Sequence, residues 1–498
     1  VLDLADFARL RAVSEGRALP IAGCRRVESS DVAIVLCPLS MAGEDSATHT
    51  IAAGELGDLE PTLLTIPDPR NRERQQELFI ALAEFLLPHA EKAAELSVPF
   101  QVWVSSPAVV GHLFRMQDRM RFTVPEYRDA RATQLGLLFR SLHMRHAHRG
   151  QQALMVAADV LGDHYASGQE PGEDAHLGAQ LAWHEGDPAT VQERVMAAEQ
   201  QPMGVATDPQ EDRELERRLR AFHAARIGSE QGSHTAEELA AREADLAAHL
   251  EPVARRIFAA TQQAAALVLD SGLPPLPGLN ELLESEAFWH RAAMGTSRWM
   301  LDNDRMFGRW DSFDRAMKEH DRREHSDELY DRMLLADPFV RRQAELDGAL
   351  ARCTIAERQI TRGKGNSRTI TMGLDAPAGA SLRVGAVYAE VDDERLRLRI
   401  DRVRRQPDHT RVEVTSVGVQ KAAADEVADG DELLLGQAGG DFRFISEKAR
   451  KRIFGSGLED DDPYRMPFTH DPEDGIELAR GEGFCPDDPL AALEEIAK

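Results

Sequence analysis

Cysteine is scarce in this chain: Cys24, Cys37, Cys353 and Cys485 are the only four in 498 residues, spread along its whole length with no CxxC spacing. That excludes a disulfide framework and a zinc ribbon, and points to a reducing, cytoplasmic compartment. Long hydrophobic runs are missing as well. No apolar stretch reaches the roughly 18 residues that a membrane span needs, so no membrane contact is expected. The opening Val1-Leu-Asp-Leu-Ala-Asp6 carries acids where a signal peptide carries lysines, which points away from export. Positive charge is in deficit. Lys and Arg number 59 against 85 Asp and Glu, a formal charge of −26, which argues against a whole surface built to coat nucleic acid or anionic membrane. Any such contact has to be local.

Nucleotide-binding motifs are also lacking. The nearest string to a P-loop, Arg362-Gly-Lys-Gly-Asn-Ser367, lacks the leading glycine at the right offset and a Ser or Thr after the lysine. A P-loop needs both, because its backbone N–H groups must wrap the phosphates while the hydroxyl holds the metal. GxGxxG, GxSxG and HExxH do not occur, and Ala266-Leu-Val-Leu-Asp270 alone does not make a Walker-B site. ATPase and dinucleotide chemistry are therefore not expected. Carboxylates are too abundant to single out a general acid or base, so no catalytic residue and no cofactor follow from the sequence.

What is present reads as an α+β multidomain protein. Hydrophobic residues at 42% and charged residues at 29% match an ordinary globular chain, and the length suits two to four domains. Residues 1–125 look like a mixed α/β domain. Short apolar runs at Val32–Pro38, Leu63–Ile66 and Gln101–Val104 read as strands, and Leu78, Leu82, Phe85 and Leu86 recur at helical spacing within Arg72–Leu96. Residues 126–350 read as a mainly helical domain. Within it Thr235 and Glu238 form a capping box, ahead of an apolar stripe of Leu239, Leu246, Leu250, Val253 and Ile257 that Pro252 is expected to kink or divide. Residues 351–457 change to period two. Thr369–Gly373, Leu382–Val391, Arg395–Val403 and Arg411–Val419 suggest a C-terminal antiparallel β-barrel of four or five strands, followed by a basic helix, Ser446–Ile453. Residues 458–498 are an acidic tail; from Glu459 onward it holds 13 acids against three basic residues.

The barrel region carries the strongest positive signal. Between Ile355 and Gly457 stand 18 Lys or Arg and 16 acids, a small excess of cations in a chain that is otherwise strongly anionic. Arg395, Arg397 and Arg399 recur at spacing two on one strand face. Arg402, Arg404 and Arg405 lie beyond them, and Lys448, Arg450, Lys451 and Arg452 fall on the next helix. Such a row suits a phosphate backbone, because arginine forks bind phosphate oxygens bidentately. The alternative is a solvated face in which Asp392, Asp393, Glu394, Asp401 and Glu413 pair with the arginines.

Two further clusters stand out. His143, His146 and His148, with His164 further on, could ligate a metal if Asp159 or Asp163 turned back toward them, which keeps a metal-dependent hydrolase as an alternative. Packing histidines are the simpler reading. Phe288, Trp289, Trp299, Phe307, Trp310 and Phe313 are interleaved with Arg291, Arg298, Arg305 and Arg309, an arrangement that could stack bases but more simply supplies a helical core.

A helical stretch, then a barrel with Val384–Val391, the Arg395 strand and the Gly430-Asp-Glu432 turn of Asp429–Leu435, then a short basic helix, resembles the region ahead of the motor in superfamily-one helicases of the nonsense-decay type. The resemblance covers about a fifth of the chain. It implies a nucleic-acid-gripping accessory piece; with no P-loop here, unwinding is not carried over, and the motor ATPase would sit on another chain. The reading is thus a non-catalytic DNA- or RNA-binding accessory or scaffold subunit of a bacterial-type assembly, with a protein scaffold that touches no nucleic acid as a further alternative. The acidic tail is expected to shield the barrel as a nucleic-acid mimic would. Deleting Glu459–Lys498 should then tighten DNA or RNA binding in a filter assay, and unchanged affinity would count against that shielding.

Overall fold

The structure is a computed structural model that describes residues 4–41, 47–121, 128–169, 176–206, 209–303, 312–362, 368–392, 396–417 and 427–437. Two compact units form, residues 1–306 with 326–437 and residues 307–325 with 438–498. In the smaller unit the described part, residues 312–325, is helical. The larger unit contains a mixed sheet, the helices that cover it and a closed antiparallel barrel, so the chain is α+β as expected.

Helix α1 (Leu4–Glu15) and strand β1 (Leu19–Pro20) precede β2 (Ala33–Ser40), every residue of which is buried. A strand covered on both faces reads as an unbroken apolar run rather than an alternation, and Ala33 to Cys37 show that pattern. Strands β3 (Thr48–Glu55) and β4 (Thr62–Thr65), helix α2 (Arg72–Leu96) and β5 (Gln101–Val104) follow. Asn71 starts α2 by accepting the N–H groups of Glu73 and Arg74 at 3.0 and 3.2 Å, which satisfies two otherwise orphan donors. Next come α3 (Pro107–Arg121), α4 (Ala130–His146), β6 (Leu154–Val156), α5 (Ala157–His164) and β7 (Tyr165–Ala166), the last paired with β1. The main sheet runs β4-β3-β2-β5-β6, antiparallel from β4 to β2 and parallel from β2 to β6.

The helices that follow are α6 (Leu177–Ala182), α7 (Val191–Glu199), α8 (Pro209–Glu230), α9 (Ala236–Leu269), α10 (Leu279–Asp302), α11 (Ser312–Leu335) and α12 (Pro338–Leu346). The stretch from 126 to 350 also supplies β6, and its helices cover both faces of the sheet. On one face Ile34, Leu36, Val102 and Val104 meet Leu78 and Leu82 of α2, Met116 of α3, Leu135 of α4 and Met294 of α10. On the other, Val35, Cys37, Leu39 and Trp103 meet Leu161 of α5 and Val253, Ile257 and Phe258 of α9. Each fully buried Leu, Ile or Phe contributes about 1.5–3 kcal/mol relative to exposure. Phe258 comes so close to β3 that a Cβ on Gly54 would lie 2.8 Å from its ring, so the glycine lets the helix seat.

The Thr235–Glu238 capping box forms as expected, with the Glu238 N–H donating to Thr235 Oγ1 at 3.2 Å and the Thr235 N–H donating to Glu238 Oε2 at 2.9 Å. The helix it opens runs through Pro252 as one element, so the division that the sequence allowed does not occur. Proline deletes one backbone hydrogen bond there. Burial of Leu246, Leu250, Val253, Ala254 and Ile257 on both sides of it offsets that loss.

Helix α10 is anchored by buried polar groups. Arg145 in the last turn of α4 pairs with the Glu286 carboxylate, their side chains only 1% and 4% exposed, and also donates to the Glu286 carbonyl at 3.1 Å. His290 Nε2 donates to the Ala90 carbonyl of α2 at 2.8 Å. Burial, with the Arg145 guanidinium nearby, pushes the His290 imidazole down to about 4, so it remains neutral.

From Leu350 the chain forms β8 (Leu350–Arg362), β9 (Arg368–Pro377), β10 (Val387–Glu390), β11 (Arg397–Arg405), β12 (His409–Ser416) and β13 (Glu432–Gln437). They close into an antiparallel barrel in the order β10-β11-β12-β9-β8-β13. Cys353, Ile355, Ile370, Met372, Leu374, Leu398, Ile400, Val412, Val414, Leu433 and Leu435 fill its interior. The barrel has six strands where four or five were expected. The additional one is β8, whose alternation is interrupted by a bulge between Ile355 and Glu357 and then by Glu357, Arg358 and Gln359 in succession. The expected basic helix and acidic tail lie outside the described residues.

Replacing Glu286 by Ala leaves Arg145 buried without its counter-charge and is expected to cost about 3–5 kcal/mol in urea unfolding. Replacing both residues by Met should cost clearly less, because no lone charge then remains inside.

Candidate functional site

The barrel places four of the expected arginines on one outward side. Leu398 and Ile400 point inward, so Arg397 and Arg399 point outward. Unbroken alternation would then turn Arg402 and Arg404 into the core. A bulge between Ile400 and Arg402 adds one residue, Asp401, and reverses the parity. Arg402 thus stands beside Glu413 and Arg404 beside Arg411, while Val403 faces Val412 on the inner side. Arg399, Arg402 and Arg404 have side chains 52%, 60% and 59% exposed. Arg405 is exposed at the end of β11, on the opposite side of the strand from Arg404. Arg395, Lys448, Arg450, Lys451 and Arg452 lie outside the described residues.

Acids stand among these cations. Arg399 pairs with Asp401 at 3.0 Å, and Glu413 serves both Arg402 at 3.7 Å and Arg404 at 3.1 Å. Further round the barrel, Arg411 is held between Asp375 and Glu357 at 2.9 and 2.8 Å. Pairs this exposed contribute about 0–1 kcal/mol each, so an incoming phosphate can displace them.

The histidine cluster is divided, with His146 and His148 on the wall of one cavity that Asp159 also lines. His143 stacks on Phe114 with centroids 4.1 Å apart, whereas His164 Nε2 accepts the Arg25 backbone N–H at 3.1 Å. Burial chiefly pushes His164 down to about 4, which keeps its ring neutral as that acceptor role requires. Among the described residues no three His, Cys, Asp or Glu side chains come together in a group able to hold a metal ion. The aromatic series is not the core of α10 either. That core is Leu279, Leu282, Leu283, Ala287 and Met294, while Phe288 is 52% exposed and stands edge-on to Trp289 at 4.8 Å. Phe307 and Trp310 lie outside the described residues, and Phe313 falls in α11.

A second site takes in His146, His148 and Asp159 from the histidine cluster, together with residues that no sequence pattern links to them. A cavity of about 340 Å³ lies along β6, lined by Arg25, His146, His148, Arg149, Asp159, Tyr330 and their neighbours. Arg25 donates to Asp163 Oδ2 from Nε at 3.0 Å and from Nη2 at 2.9 Å, and also to the Gln151 carbonyl. Arg149 pairs with Asp331 at 2.7 Å and lies over the Tyr330 ring. Gly150, at φ 70°, lets that ring press on the backbone; a Cβ there would sit 2.4 Å from Tyr330 Cδ2. Burial, with the Asp163 carboxylate beside it, pushes Asp159 up from 3.8 to about 6 against the pull of Arg25. Arg25 and Tyr330 belong to no local motif, and no spacing pattern announces that they meet Asp159.

Comparison with protein-family models finds no match, and neither the curated proteins nor the solved structures yield a similar chain.

Asp159 binds its proton more tightly when folded than when unfolded, so stability falls as pH rises from about 4 to about 6 and stays lowered above that. Asp159→Asn removes this penalty. It is expected to stabilise the fold by roughly 1–3 kcal/mol at pH 7.5 and to give no gain near pH 3.5, read by denaturant unfolding at both pH values.

Proposed function

We propose that this chain is a non-catalytic nucleic-acid-binding accessory subunit that grips a phosphate backbone with the outer face of its barrel. The observation that supports this most is the bulge at Asp401, which keeps Arg397, Arg399, Arg402 and Arg404 on one side where plain alternation would split them between solvent and core. Side chains two residues apart on a strand recur about every 6.6 Å, a repeat comparable to that of successive phosphates on an extended strand. Guanidinium forks suit such oxygens, and each contact releases condensed counterions. The chain's overall charge of −26 confines DNA or RNA to this local surface. The likeness to the pre-motor region of superfamily-one helicases adds a protein partner: a motor ATPase on a second chain, since this one has no P-loop.

Filter binding of the full chain to DNA and RNA at several salt concentrations tests the reading. Affinity should fall steeply with salt, and Arg399→Ala/Arg402→Ala/Arg404→Ala should lower the slope of log K against log salt by about 2–3. Unchanged affinity and slope in the triple variant would exclude the barrel face as the contact.

A further inference from the structure

The cavity along β6 is assembled from three distant segments: Arg25, the stretch from His146 to Val160, and Tyr330 with Leu334 on α11. They are held in place by bonds outside the cavity itself. Gln152 Nε2 donates to the Cys24 carbonyl at 3.2 Å, and Ser326 Oγ donates to the Arg149 carbonyl at 2.9 Å. The Arg149 N–H donates to Asp327 Oδ1 at 3.2 Å. This is a built site of a size that takes a small ligand.

Its chemistry is selective. Two guanidiniums form part of the wall, but their acids, Asp163 and Asp331, stand outside the lining, so an entering amine meets cations first. Those same acids leave the guanidiniums already paired, which weakens the case for a bare anion. Asp159 is the remaining charged group of the lining, and its carboxylate has neither a hydrogen bond nor an ion pair among the described residues. The Nδ1 of His146 is likewise buried without a partner. Planar side chains are prominent in the lining: His146, His148 and Tyr330, with the Arg149 guanidinium over Tyr330 at 5.1 Å from the ring centroid. Leu154, Val160 and Leu334 supply an apolar side.

A carboxylate whose two oxygens are free among the described residues, in a cavity lined by planar side chains, suits a flat, uncharged ligand that presents two parallel N–H donors. Among the nucleobases guanine offers that pair, N1–H beside the N2 amino group; adenine and cytosine each offer one amino group. We infer that this cavity binds a guanine base, whose N1–H and N2–H donate to Asp159. Tyr330, whose hydroxyl is pushed up to about 12 mainly by burial and so stays protonated, and the His146 ring supply hydrogen-bonding counterparts for the base's other edge atoms. The inference does not depend on the barrel arginines.

The test is calorimetric titration of the full chain with guanosine, inosine, adenosine and cytidine, and with a short single-stranded oligonucleotide ending in guanosine. Guanosine should bind saturably at one site. Inosine, which lacks the amino group, should bind about tenfold more weakly, the loss of one hydrogen bond to a charged acceptor. Asp159→Asn should abolish that preference, Leu334→Trp should block the cavity while Asp159 is intact, and the triple barrel variant should bind guanosine as the parent does. If nucleosides fail but the oligonucleotide shows the same preference and the same loss in Asp159→Asn, the base is taken from a strand rather than free. Absence of any guanine preference in both arms, a preference unchanged in Asp159→Asn, or saturable binding of inorganic phosphate or an alkylamine in guanosine's place overturns the inference.

Discussion

A strand that is buried along its whole length leaves no face for water, and β2 imposes that condition on everything around it. With Val35 and Cys37 turned one way and Ile34 and Leu36 the other, the sheet needs a cover on both sides. The helix that immediately follows in sequence, α2, covers one. The second cover, α9, comes from nearly two hundred residues further along the chain. The helical middle is therefore shaped by the sheet, and its lengths and apolar faces follow from having to lie across it.

Once α9 and α10 are drawn onto the sheet, directed polar bonds decide how they lie. Hydrophobic contact tolerates sliding, whereas a hydrogen bond to a particular carbonyl does not. Gln262 Nε2 on α9 donates to the Glu55 carbonyl at 2.8 Å while its side-chain oxygen accepts the Gly57 N–H at 2.8 Å. On α10, Glu286 and His290, one turn apart, hold α4 and α2 respectively. The buried face of α10 beyond them, at Leu279 and Leu283, packs in one cluster with Leu329 and Met333 of α11. Tyr330, adjacent to Leu329 in sequence, is thereby brought to Gly150 and closes the cavity. Polar bonds near the middle of α10 thus help to set a wall packed against its first turns.

Features that depend on neighbours in sequence were legible from it. The stretch Arg72–Leu96, the strand Gln101–Val104 and the Thr235 capping box all rest on local periodicity or on a cap three residues away, and all appear where expected. Features set by distant packing were not. Strand β3, Thr48–Glu55, mixes Thr, His, Ala and Gly and is a strand because β2 and β4 flank it. Pro252 looked like a break and is not one, because burial on both sides outweighs one missing bond. Of the candidate surface, the cationic character of β11 was legible, but the common orientation of Arg402 and Arg404 with Arg397 was not, since it depends on one extra residue in the ladder. Of the cavity, His146, His148 and Asp159 were legible as a cluster, but Arg25 was not: it and Asp163 are separated by 138 positions, and no periodicity spans such a gap.

The two sites differ in how the fold treats their charges, and that difference bears on what each can do. On the barrel the charges are wet, their partners interchangeable, and Glu413 shared between two arginines. Such a surface is inexpensive to maintain and weakly selective, which suits contact with a repeating polyanion. Around β6 the guanidiniums are fixed by acids and carbonyls, and Asp159 is left ionisable and, among the described residues, unmatched in a half-buried place. The fold gains no stability from that arrangement, because burial and the neighbouring Asp163 both oppose the ionised carboxyl. An unmatched carboxyl that is unfavourable to the empty protein becomes favourable once a ligand supplies the missing donors, so the free-energy penalty itself is a source of selectivity. Weak, exchangeable pairing on one surface and a fixed, incomplete hydrogen-bond set in the other are the arrangements expected of a backbone grip and a base-sized pocket.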